Sequence, residues 1–228
     1  MDILHRVAII SLIIAGLSFV IILIDISSGN QQKMMIMNFV YPLTALYASI
    51  FAIIFYFRIG RKAALKTEAT HGERQMHTNK KPFWQSVAAG ALHCGSGCTL
   101  GDILAEVMLL FLPAVLFGST LLGSWAVEFV FAFLTGIIFQ YYSIKPMRNL
   151  GVKEALIAAL KADTLSLTAW QIGMYGWMAI AMFLIFKVKL EATNPLFWFM
   201  MQIAMLFGFA TAYPVNWWLI KKGIKEEM

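Results

Sequence analysis

Charged residues are scarce in this sequence. They make up 13% of its 228 residues, against roughly 25% in a soluble domain. So few charges exclude a surface that faces water throughout, and most of the surface is expected to face lipid tails. Catalytic signatures are missing as well. There is no Walker loop, no dinucleotide fingerprint, no Gly-x-Ser-x-Gly and no His-Glu-x-x-His. That argues against a hydrolase or a nucleotide-driven pump, and the reading favours a protein that is not an enzyme. No polar segment of domain size is left over for a soluble module, so residues 1–228 form one membrane domain. The net charge of +6 does not point to nucleic acid, because the basic residues gather at the ends of apolar runs and no basic stretch carries interleaved aromatics.

What is abundant is apolar sequence, 60% of the chain. A spanning helix needs about 20 mainly apolar residues. Runs of that kind fall at about 7–24, 38–57, 84–112, 125–144, 164–186 and 196–220, with a polar loop over 58–82. The expected fold is an all-α, polytopic transmembrane helix bundle of about six spans. The stretch from Phe83 to Phe117 is too long for a hydrocarbon core of about 30 Å. A break is therefore expected at Gly95, Gly97, Gly101 or Pro113. Residues 152–162 read as an amphipathic helix on the membrane surface. With both termini in the cytoplasm, 15 Lys/Arg lie inside and Lys33, Lys187 and Lys189 lie outside. The positive-inside rule thus predicts N-in and C-in, in a multi-pass protein of the inner (plasma) membrane.

The third apolar run differs from the rest. Cys94, Cys98, Asp102 and Glu106 recur every four residues, with His93 beside them. On a helix that spacing stacks side chains on one face. An acid at the centre of a membrane helix costs roughly 2.5–3.5 kcal/mol, so the stripe must face the bundle interior, a wet cavity or a cation. A neighbouring ladder of Ala89, His93, Gly97, Gly101 and Ala105 would let another helix approach closely. Thiols and imidazole select soft ions such as Cu(I) or Zn. His93, Cys94, Cys98, Asp102 and Glu106 are therefore the candidate ligands of a copper or zinc ion. Two alternatives stay open: a membrane thiol-redox protein using Cys94 and Cys98, and a non-catalytic assembly subunit or homo-oligomer whose ladder binds a partner helix.

Other polar positions have more modest readings. Glu106 and Glu128 are expected near one outer vestibule. Asp163 reads as a helix cap with Thr164. Gln140, Gln171 and Asn216 are expected to hydrogen-bond between helices. Met174, Met178 and Met182 read first as packing, and His71, Met76 and His77 as part of a solvated loop.

Three motifs carry a resemblance. The runs His93-Cys-Gly-Ser-Gly-Cys98-Thr-Leu-Gly-Asp102, Lys161-Ala-Asp163-Thr-Leu-Ser-Leu-Thr and Tyr213-Pro-Val-Asn216-Trp-Trp resemble a prokaryotic family of small polytopic membrane proteins catalogued as a domain of unknown function. Some members carry an added cupredoxin-like domain, which implies copper. The resemblance supplies no catalytic residue.

Overall fold

The computed structural model describes residues 2–61, 82–148 and 150–227. The polar stretch with His71, Met76 and His77, and most of the 58–82 loop, lie outside these residues. Six helices are long and apolar enough to cross a membrane: α1 Asp2–Ser27, α2 Met37–Phe55, α3 Phe83–Phe111, α4 Thr120–Arg148, α5 Val152–Ala179 and α6 Pro195–Lys221. Helices satisfy their backbone polar groups internally, which lipid cannot do for them. They mark the chain as a membrane protein, and the all-α bundle read from the sequence is the fold observed.

The path of α2 was not anticipated. At Ser49 the backbone leaves the helical region (φ 48°, ψ −120°), and the chain turns back on itself. The rings of Tyr41 and Tyr56 lie 5.2 Å apart. A straight helix would separate these residues by about 22 Å along its axis. The return leg continues through a π-helical turn, Tyr56–Gly60. Both legs end beside the C-terminus of α1, where Asp25 accepts a hydrogen bond from Tyr56 Oη (2.8 Å) and pairs with Arg61 (3.1 Å). The tip is held inside the bundle: Gln202 Nε2 donates to the Leu46 carbonyl (2.8 Å), and Ser11 Oγ donates to Gln202 Oε1 (2.7 Å). A backbone acceptor exposed by the break is thus satisfied without water. The second span is a re-entrant hairpin between five full-length rods.

This corrects the expected topology. One end of the bundle gathers the C-termini of α1, α4 and α6 and the N-termini of α3 and α5, as Ser143–Met34 (3.2 Å), Phe83–Trp217 (4.7 Å) and Lys225–Asp163 (2.7 Å) require. We call it the basic end. The N-terminus of α1 lies at the opposite end, level with the start of α6. The two termini therefore do not share a side. Moving Arg6 out and Lys33 in leaves the count at 15 to 3, so the charge bias cannot detect the hairpin.

Two further expectations change. Helix α3 runs unbroken through Gly95, Gly97 and Gly101 and stops two residues before Pro113. Its glycines serve contact: a Cβ at Gly97 would lie 2.8 Å from Gly136 Cα, and one at Gly101 2.5 Å from Ala132 Cα. The small-residue ladder thus meets α4 at backbone distance. Residues 152–162 are no separate surface helix. They form the start of α5, because Ala155, Ala159 and Ala162 are buried along one face while Lys153, Glu154 and Lys161 point away. Beyond Ala179, α5 continues as a π-helical segment, Ile180–Ile185.

Candidate cation-binding file

Helices α3 and α5 both start at the basic end, so they run parallel. The stripe on α3 faces α5 at a nearly constant register. Cys94 meets Ser166, 72 residues on, and Cys98 meets Gln171, 73 residues on. Asp102 follows one turn beyond Cys98 on the same face of α3 and is likewise buried. Four-residue spacing on one rod and matching spacing on its parallel neighbour make a polar file between them.

The station nearest the basic end is the most connected. The Cys94 thiol donates to Asp163 Oδ1 (2.9 Å) and lies 2.9 Å from Ser166 Oγ. Asn216 Nδ2 on α6 donates to Ser166 Oγ (2.6 Å). Lys225 comes from outside the helices. After α6 the chain turns at Gly223 (φ 69°), a left-handed conformation that suits glycine. The ammonium of Lys225 then enters the core and donates to Asp163 Oδ1 (2.7 Å), Cys94 Sγ (3.2 Å) and the Gly90 carbonyl (3.5 Å). Both partners of the ion pair have side chains with no exposed surface. Burial works against the charge of Lys225, but the Asp163 carboxylate and the Cys94 sulfur beside it outweigh burial and raise its pKa.

Every residue of this station lies within one family match. A model for a family described as Domain of unknown function (DUF4396) covers residues 83–225, which is more than half of the chain. The chain belongs to the DUF4396 family. No curated protein matches, and no solved structure matches. The DUF4396 region begins at the first residue of α3 and ends on Lys225, so α1 and the re-entrant hairpin lie outside it.

Further along the file the groups are less satisfied. Cys98 is fully buried, with Gln171 Nε2 at 3.8 Å as its polar neighbour. Asp102 is 1% exposed, and neither carboxylate oxygen has a hydrogen-bond partner among the described residues. At the end opposite the basic one, Glu106 of α3 and Glu128 of α4 lie beside one cavity. They line its volume of about 340 Å³ with Thr120, Ser124, Lys189 and Glu191. The expected Glu106–Glu128 vestibule is therefore present.

The five candidate ligands do not converge on one point. Cys94, Cys98, Asp102 and Glu106 occupy successive levels of α3, and His93 turns toward α4, its ring 5.8 Å from that of Phe139. Neither nitrogen of His93 has a hydrogen-bond partner among the described residues. Among the described residues, no group of three or more His, Cys, Asp or Glu side chains could hold a metal together. Asp163 is no helix cap; it sits inside α5 in the buried ion pair, and Thr164 bonds back to the Leu160 carbonyl (2.6 Å). Asn216 bridges helices as expected, whereas both polar atoms of the Gln140 side chain lack partners among the described residues. Met174, Met178 and Met182 are core residues. Sequence reasoning missed Lys225 and Ser166. Ser166 stands three residues after Asp163, on the same helical face; no signal marks Lys225 beyond its place just past the last span.

Proposed function

We propose that this protein binds or conducts a soft transition-metal ion, copper given the cupredoxin-like domain that the family resemblance implies, along the file between α3 and α5. The observation that carries the reading is the burial of Cys94, Cys98, Asp102 and Glu106 on one face of an unbroken helix, all turned inward. An intramembrane ionisable residue is a functional candidate by default, and a whole row of them has no packing purpose that alanine would not serve better. Cys98 and Cys94 supply the soft donors. The carboxyls of Asp102, Glu106 and Glu128 draw a cation in from the opposite end. His93 stands to one side, against Phe139 of α4.

Lys225 gives the inner station a cation of its own. An incoming ion must compete with that ammonium for Asp163 Oδ1 and Cys94 Sγ, so cargo and tail exchange places. The positive-inside rule supports placing the basic end on the cytoplasmic side, and the family resemblance suggests a prokaryotic plasma membrane. The N-terminus is then outside and the tail that carries Lys225 inside.

The test is metal content. The purified protein, expressed with copper and zinc supplied, is assayed beside Cys94→Ser/Cys98→Ser. Near-stoichiometric copper that is lost in the double variant supports the reading. Negligible metal in both, or equal metal in both, rejects it.

A further inference from the structure

A cavity with both apolar and basic walls lies away from the file. It opens at the basic end between α1, the first leg of α2 and α4, and encloses about 1290 Å³. Small-molecule pockets are usually about 300–1,000 Å³, so this one suits a larger guest. Its walls are apolar, with Leu23, Pro42, Leu100 and Phe139 among them. Leu100 lies near the middle of α3, so the cavity reaches deep toward the centre of the bundle. Two lysines from different elements line it, Lys33 from the α1–α2 connection and Lys145 from the end of α4.

The hairpin explains why the cavity exists. A straight second span would carry its C-terminal half to the opposite end of the bundle. Here the return leg folds against Tyr41 and Asp25 instead, and the first leg stands apart from α4. The resulting gap is lined mainly by apolar side chains, with Lys33 and Lys145 at the basic end. That pairing of an apolar shaft with a basic rim matches an amphiphile whose head is anionic.

We propose that this cavity seats one anionic phospholipid, with its acyl chains against the apolar walls and its phosphate held by Lys33 and Lys145. The inference stands apart from the ion-handling reading, because it uses none of the residues of the file. The guest is a phospholipid and not a free anion, because the apolar shaft, far larger than the basic rim, is what needs covering. A lipid seated there also buttresses the first leg of the hairpin, which α4 does not reach.

The experiment compares thermal unfolding of the full chain in nanodiscs of phosphatidylcholine with and without phosphatidylglycerol. The wild type gains roughly 4–8 °C from phosphatidylglycerol, the shift expected when two lysines engage one headgroup in a chain of this size. Lys33→Gln/Lys145→Gln loses most of that gain, whereas Lys33→Arg/Lys145→Arg keeps it. Lys153→Gln/Lys222→Gln, which removes equal charge from the same end outside the cavity, keeps it as well. Absence of a gain in the wild type overturns the proposal, and so does a gain that survives in Lys33→Gln/Lys145→Gln. A gain lost equally in Lys153→Gln/Lys222→Gln assigns the effect to general surface charge and also overturns it. Inorganic phosphate added to phosphatidylcholine nanodiscs should leave the unfolding temperature unchanged. The same rise from phosphate alone makes the guest a free anion and rejects the lipid.

Discussion

Lys225 Nζ lies 2.7 Å from Asp163 Oδ1, and neither side chain has any exposed surface. The lysine reaches that carboxylate from a short tail beyond the last helix, across the ends of α3, α5 and α6. A buried pair of this kind adds little net stability over a well-packed apolar pair, but breaking it leaves one charge stranded. Each single change, Lys225→Met or Asp163→Asn, should therefore destabilise by about 3–5 kcal/mol. The double change should cost well under the sum of the two, because no uncompensated charge remains. Denaturation of the four proteins in one detergent measures the coupling; strict additivity would show that the pair does not act as a unit.

The same pair sets a pH window. The pKa of Lys225 is raised in the folded protein, so its contribution is fully present below the lysine value of the unfolded chain. It is lost only as pH rises through the higher folded value. Stability attributable to Lys225 should then stay flat through neutral pH and fall in strongly alkaline solution. Unfolding curves of the wild type and Lys225→Met across that range should converge at the alkaline end.

The hairpin makes a prediction of opposite sign to that of a continuous span. Ser49 holds a positive φ of 48°, which glycine adopts without strain. Ser49→Gly should be neutral or stabilise by about 1 kcal/mol, and Ser49→Ile should destabilise by at least as much. In an uninterrupted helix, glycine would be the damaging substitution. Reporter fusions test the topology directly: the N- and C-termini should report opposite sides of the membrane.

Contact between α3 and α4 depends on Gly101. A Cβ there would meet the Ala132 backbone at 2.5 Å, and backbone cannot swing aside. Gly101→Ala should cost about 1–3 kcal/mol through overpacking, and Gly101→Leu should abolish the folded bundle. An unfolding midpoint for Gly101→Ala equal to that of the wild type would show that the helices stand further apart.

How much of this was legible in the sequence depends on whether the signal is periodic. The stripe from Cys94 to Glu106 was legible, because four-residue spacing has one meaning on a helix. So was the small-residue ladder that α4 covers. The hairpin was not: Ser49 is neither glycine nor proline, Pro42 sits within the first leg, and reversing α1 preserves the charge bias. Asp163 was misread because Lys161 and Thr164 beside it look like a helix start. Lys225 was invisible as a core residue because it follows the last apolar run, where a lysine normally meets water. The convergence of α3, α5, α6 and the tail on one thiol is a long-range fact that no local pattern encodes.

X-ray absorption at the copper edge tests the central claim most directly, because it reads the donor atoms themselves. Protein loaded with Cu(I) should show sulfur scatterers, and Cys98→Ser should lose part of that signal while keeping its fold. A spectrum with nitrogen and oxygen donors alone, or a sulfur signal indifferent to Cys94 and Cys98, would contradict the account.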